Sequence, residues 1–199
     1  VKERLDFSCG ILDRRGNLVV NAPHIPVHLG ALGTCVRSLI DTLEMNPGDT
    51  VMTNHPRFGG SHLPDITLVS PVFFKSELIG FVASRAHHAE LGGISPGSMP
   101  PNAKFLFEEG VVIDPMHIVK SGYVKWKEIR ALLQESRFPS RSIENNIADL
   151  AAALAANSLG TSALEALANR YGIDDLSDYM NLLWKESNKG VTKALRNLG

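Results

Sequence analysis

Two clusters of histidine and carboxylate, each beside a glycine pair, hold the chemistry this chain could perform. The first reads Asn54-His55-Pro56-Arg57-Phe58-Gly59-Gly60-Ser61-His62-Leu63-Pro64-Asp65. The second reads Arg85-Ala86-His87-His88-Ala89-Glu90-Leu91-Gly92-Gly93. Imidazole nitrogen and carboxylate oxygen together suit Zn, Mn or Fe(II), with no need of thiolate ligands. His62 and Asp65 stand three residues apart, so a helical turn puts them on one face, and a loop can also join them. His87 ends an apolar run, where a buried strand gives way to a glycine loop. The plainer alternative is that histidines beside glycine simply close strand ends, and that the adjacent pair His87-His88 caps a loop. What favours chemistry is the pairing of two such clusters at strand ends, where a rigid scaffold presents reactive groups.

The elements that must position these groups follow from hydropathy. Residues 5–12 read as a buried strand, Asp13 to Asn17 as a turn and Leu18-Val19-Val20 as the returning strand of a hairpin. From His28, the residues Leu29, Leu32, Val36, Leu39, Ile40 and Leu43 recur at helical steps until Asn46-Pro47-Gly48 closes the helix. Thr50 to Thr53 is a short strand delivering the first cluster. Ile66 to Val69 and Val72 to Phe74 lead into a turn near Lys75-Ser76-Glu77, and Leu78 to Ser84 delivers the second cluster. The Gly- and Pro-rich stretch from Leu91 to Pro101 reads as a functional loop or lid. Phe105 to Ile113 reads as a strand containing a solvated pair, Glu108 and Glu109, one of which could face the cleft. Val124 to Gln134 suits a helix. Ile143 to Leu167 extends a helical period, with Gly160 and Gly172 as candidate breaks, and a last helix runs from Asp174 to about Leu198. Leu176, Met180, Leu183 and Trp184 form one stripe of that helix, expected to meet a partner or project from the body. The fold expected is α+β, a sheet-containing body over residues 1–140 with a helical segment over 141–199.

Composition narrows the function classes. The 199 residues are 44% hydrophobic with a formal net charge of −1, which suffices for a real core. No basic stripe marks a nucleic-acid surface. Cys9 and Cys35 are too few for a disulfide framework or a thiolate zinc site. We expect no membrane span and no leader, hence a cytoplasmic protein. The opening at Val1 without Met makes a fragment of a longer polypeptide the expectation. No Gly-x-x-x-x-Gly-Lys-Ser/Thr loop is present to hold ATP phosphates, and no Gly-x-Ser-x-Gly elbow to present a serine nucleophile. His28 either caps its helix or lines the cleft, while His24 and His117 carry no pattern.

Read in order, these motifs resemble the B subunit of the hydantoinase/oxoprolinase family, which includes the alpha subunits of acetone and acetophenone carboxylases. The resemblance covers roughly residues 2–172. It rests on Glu3-Arg4-Leu5-Asp6-Phe7-Ser8-Cys9, His24-Ile25-Pro26-Val27-His28-Leu29-Gly30, Gly59 to Asp65 and Arg85-Ala86-His87-His88. Glu109-Gly110, Arg137-Phe138-Pro139 and Asp149-Leu150 continue it. It implies a divalent metal (Mn, Zn or Fe) held by Glu3, His62, Asp65 and His87, the first of these nominated by the resemblance alone. It further implies a partner A-type subunit that binds ATP and activates the substrate, and an oligomeric assembly. Ring opening of a hydantoin- or oxoproline-like cyclic amide is the activity expected, with ketone carboxylation or a non-catalytic assembly module as alternatives. His88 and Glu90 are the catalytic candidates, His88 because it adjoins a proposed ligand. Two positions depart from the family pattern: His55 follows the Asn where Asp is common, and Glu90 precedes Gly-Gly where Asp is common.

Overall fold

The computed structural model describes residues 6–23, 25–97 and 99–198. Alternating hydropathy builds its centre, a seven-stranded sheet of order β2-β1-β5-β4-β3-β6-β7 in which every pairing is antiparallel. The strands are β1 (Phe7–Leu12), β2 (Leu18–Ala22), β3 (Thr50–Thr53), β4 (Asp65–Phe74), β5 (Glu77–His87), β6 (Met116–Lys120) and β7 (Tyr123–Val124). The two apolar runs on either side of Pro71 form the single strand β4. Its hairpin to β5 turns at Lys75 and Ser76, both with positive φ. The α+β class read from the sequence is the class observed.

Helices cover both faces, so the central strands are buried on both sides. On one face lies α1 (Pro26–Thr42), which opens with Pro in its first turn, where a missing N–H costs nothing. Its stripe of His28, Leu32, Cys35, Val36 and Leu39 is buried, and its apolar members pack on Leu12, Val69, Phe81 and Ala83 of the sheet. Leu29, one step off that stripe, is exposed. On the other face, α3 (Trp126–Glu135) and α4 (Ile143–Tyr171) cover Met52, Ile66 and Leu68, and α4 continues over Val72 and Val82. Because side chains alternate across a strand, the odd positions 65, 67 and 69 of β4 and 81, 83, 85 and 87 of β5 share the α1 face.

Several local expectations are corrected. Phe105 to Ile113 is not a strand; it forms the single turn α2 (Leu106–Glu109) and an irregular passage. The Glu108 carboxylate accepts from the backbone N–H of Lys104 and Phe105, at 2.7 and 3.2 Å, which closes a helical turn in place of a ladder. Gly160 does not break its helix, since α4 runs through it unbroken. There a Cβ would stand 2.8 Å from Val82 Cγ1, so glycine lets the helix approach the sheet. Gly172, with φ +88°, does end α4. Of length and apolarity sufficient to cross a membrane, α4 nonetheless buries Asn146, Leu150, Asn157 and Leu164 against the sheet side. The expectation that no segment has span-like length and apolarity therefore fails for α4, whose apolar residues serve the core.

The last helix, α5 (Ile173–Leu198), divides the expected stripe. Leu176 and Met180 are buried with Val72, Ile79, Val82 and Leu164, whereas Trp184, Val191, Leu195 and Leu198 are exposed. Its first two turns are docked, and the remainder stands clear of the body.

These close approaches make a paired stability prediction. Gly160→Val should cost about 1–3 kcal/mol through overpacking against Val82. Gly190→Ala, in α5 with nothing within 4 Å of a new Cβ, should gain up to about 1 kcal/mol from helix propensity. Chemical denaturation of the two variants beside wild type checks both signs.

Candidate metal centre

Register and a tight turn bring the two clusters together. Asp65 opens β4 and lies directly across the ladder from His87, the last residue of β5. The backbone N–H of Asp65 donates to His62 O at 3.0 Å, closing a turn that folds His62 back over the carboxylate. His62 Nδ1 then lies 3.1 Å from Asp65 Oδ2, and His87 Nδ1 lies 3.1 Å from Oδ1. The two imidazoles stack with centroids 5.0 Å apart. The donor atoms of His62, Asp65 and His87 all lie within 4.8 Å of one another. Ligands at about 2.0–2.2 Å from one ion span up to about 4.4 Å, so two imidazoles and a carboxylate at this spacing fit a divalent cation after a small contraction.

Asp65 is 1% exposed while both imidazoles are about a fifth exposed. The carboxylate therefore forms the floor of the cluster and the rings form its mouth. Burial pushes the carboxyl pKa up, but hydrogen bonds from His28 and Ser61, the nearby His62 and a bond from His87 more than reverse this. The net direction is well below the usual carboxylate range, so Asp65 stays ionised. Ser61 Oγ donates to Oδ2, and His28 Nε2 stands 3.4 Å from the same oxygen.

Of the two readings left open for His28, lining the cleft is the one observed. It is buried at the first position of α1's inner stripe, and its Nδ1 meets Ser8 Oγ at 2.9 Å. A chain Ser8–His28–Asp65 thus fixes the carboxylate from behind, a partnership typical of metal-ligating groups. The spacing Asp6-Phe7-Ser8 against His28 carried no local signal of it, because the contact joins a strand to a helix.

Glu3 and His24 lie outside the described residues. His88 and Glu90 are placed elsewhere. Consecutive side chains leave a strand on opposite sides, so His88 turns to the α4 face, where Nδ1 meets Asn146 Oδ1 at 2.9 Å in a buried site. Burial pushes its pKa down, against the raising effects of Asn146 and Asp149, and keeps the ring neutral. The argument that placed His88 at the centre by adjacency is overturned by the pleat. The Glu90 carboxylate accepts from Ser140 Oγ, Arg141 N, Arg141 Nη1, Ser142 N and Gly92 N. It pins the start of α4 to the loop after β5, and its oxygens are engaged there. Asn146, which sequence reasoning passed over, joins the same staple through Glu90 O at 2.8 Å and Ser140 Oγ at 2.9 Å. His55 caps the short 3₁₀ turn Pro56–Phe58, accepting from Arg57 N.

With this geometry in view, the comparisons with known proteins are specific. The family model "Hydantoinase B/oxoprolinase" matches residues 1–199. The chain is 45% identical over 207 residues to a 5-oxoprolinase of Saccharomyces cerevisiae, covering all of this chain and 16% of that protein. Its structure superposes with a TM-score of 0.86 on an ATP-dependent caprolactamase from Pseudomonas jessenii, at 28% identity, over 96% of this chain and 33% of that one. A nucleotide-free acetone carboxylase superposes with a TM-score of 0.79 at 20% identity, over 89% of this chain and 24% of that one, a likeness of fold. The chain thus spans about a sixth of the length of the curated relatives it matches.

The staple at Glu90 predicts a pH-dependent stability difference. Burial opposes ionisation, but Ser140, Arg141 and the Gly92 N–H pull the Glu90 carboxyl below its ordinary value. A depressed folded pKa contributes stability above the unfolded value near 4.3, lost as pH falls through the folded one. Glu90→Gln should therefore cost about 1–2 kcal/mol at pH 7, and the gap to wild type should close in strong acid. Urea titrations at pH 7 and at about pH 3 measure it; a gap that persists at low pH contradicts the assignment.

Proposed function

The chain belongs to the hydantoinase B/oxoprolinase family, and from that premise we propose that it carries the metal centre of an ATP-dependent cyclic-amide hydrolase. The observation that carries the reading is Asp65, a buried carboxylate with one imidazole on each oxygen at 3.1 Å. The relatives supply the substrate class: a 5-oxoprolinase and a caprolactamase are both named for cyclic amides. Ring opening of an oxoproline- or hydantoin-like lactam is the activity that follows.

His62, Asp65 and His87 are the described residues that would hold the ion, and Glu3 is the fourth ligand that the family resemblance implies. A divalent cation bound there supplies a Lewis acid that polarises an amide carbonyl and lowers the pKa of water. The chain's own groups do the rest. Asp65 remains ionised and provides the negative charge that favours a cation. Ser61 and the Ser8–His28 pair hold its oxygens in place, so the carboxylate does not reorganise as charge develops. The partly exposed rings of His62 and His87 leave the open side of the cluster toward the incoming lactam.

Activation by ATP falls to a part of the machine outside these 199 residues, an A-type partner subunit or another region of a longer chain. Most of the yeast protein and of the caprolactamase chain lies beyond the matched segment, which leaves ample room for it. The carboxylase alternative has a likeness of fold behind it, whereas the hydrolase reading has relatives of higher identity, so the hydrolase is preferred.

In the complete protein, His62→Ala and Asp65→Asn should each remove most of the bound divalent metal. Both should lower ATP-dependent opening of 5-oxoproline or hydantoin by at least about 100-fold. Elemental analysis and a ring-opening assay on the same preparations check this. Full activity with the metal gone would make the centre structural. Full activity with the metal retained would remove the residue from the ligand set.

The isolated 199-residue chain should be inactive toward both lactams, with or without ATP. Turnover by it alone would place ATP activation within this segment and contradict the division of labour.

A further inference from the structure

Arg85 is the largest fully buried side chain in the structure, 0% exposed in the middle of the sheet. Among the described residues no carboxylate forms an ion pair with it. Burying a guanidinium without an acid partner costs several kcal/mol, and an apolar residue of similar volume is often the more stable choice. Cys35, packed beside it from α1, offers no counter-charge, because burial pushes that thiol's pKa up despite the opposing guanidinium. Packing of the sheet therefore gives no reason for a charge at this position.

Its hydrogen bonds do. Arg85 lies across the ladder from Thr67, one alternation along from the Asp65–His87 pair and on the same face. Nε donates to Thr67 Oγ1 at 2.7 Å, and Nη2 donates to the backbone carbonyl of Gly59, also at 2.7 Å. Nη1 is buried with no partner, so the contacts satisfied are those to the β4 floor and to the glycine turn. Gly59 has φ +82°, and a Cβ on it would stand 2.7 Å from Cys35 N; the turn is pressed against α1. Three residues on is His62. At the far side of His62, Asn54 Nδ2 donates to Leu63 O at 2.8 Å and to Val111 O at 2.9 Å. The segment Gly59 to Leu63 is thus tied at both ends, by Arg85 at Gly59 and by Asn54 at Leu63, with the imidazole between.

Building on the metal-centre reading above, we propose that Arg85 is a positioning residue for His62. Its planar fork ties the Gly59–Gly60 turn to the β4 floor and so sets the distance from His62 Nδ1 to the ion. Lysine has the charge without the fork and spans Thr67 Oγ1 and Gly59 O poorly. Groups of this outer kind typically alter metal affinity about 10–100-fold.

The test is the dissociation constant for Mn²⁺ and Zn²⁺ of the complete protein, by competition with a chelator, for wild type, Arg85→Met, Arg85→Lys and Thr67→Val. Denaturation of each metal-free variant is measured alongside. The expected result is a dissociation constant raised about 10-fold or more in both Arg85 variants and raised less in Thr67→Val, which frees only Nε. Wild-type affinity in folded Arg85→Met overturns the proposal, and so does wild-type affinity in Arg85→Lys, which would mean that charge alone suffices. Should Arg85→Met fail to fold, Thr67→Val decides, and unchanged affinity there also overturns it. Wild type that takes up neither ion overturns the metal-centre reading itself, an outcome distinct from failure of the Arg85 variants.

Discussion

A carboxylate that stays ionised at 1% exposure is the constraint around which the rest of the molecule is arranged. Removing such a charge from water is costly unless every lone pair is answered. Asp65 is answered by Ser61, His28, His62 and His87, and each donor comes from a different structural source. Ser61 and His62 come from the turn before β4, His87 from the end of β5, and His28 from the first buried turn of α1. Displacing any of these elements would leave part of the charge unanswered. The antiparallel register that sets Asp65 opposite His87 is therefore also an electrostatic requirement.

The two faces of the sheet divide the work. The α1 face holds the polar line of Ser8, Arg85, Thr67, His87 and Asp65, with His28 above it. The α4 face holds apolar cores and the staple of His88, Asn146, Glu90 and Ser140. The loop that leaves His87 passes at once into that staple, so the strand end bearing one candidate ligand is anchored from the opposite side. Rigidity at the mouth is thereby drawn from a helix that touches none of the three cluster residues, which is how a positioned site is held within fractions of an ångström.

Much of this was legible in the sequence, for identifiable reasons. Strands β4 and β5 are long and apolar enough that burial on two faces showed as near-continuous hydropathy, and the clusters at their ends marked where polar groups had to concentrate. The helical period of α1 was equally plain. What escaped reading depends on pairings between distant segments. Nothing near residue 8 or residue 28 announces the Ser8–His28 bond, and nothing near Arg85 announces its reach to Gly59. The assignment of His88 to the centre treated adjacency along the chain as adjacency in space, which a strand end reverses. Phe105 to Ile113 had strand-like composition, but a Glu108 side chain bound to its own backbone decided for a turn. Gly160 looked like a helix break because sequence shows the missing side chain and not the Val82 methyls that require it to be missing.

The central claim is that His62, Asp65 and His87 grip one divalent ion, and anomalous diffraction at the metal edge from crystals of the complete protein tests it most directly. The account predicts a single strong anomalous peak about 2.0–2.3 Å from an Asp65 oxygen and from a nitrogen of each imidazole. A metal-replete crystal with no peak among these three side chains, or with its peak held by other residues, would contradict it.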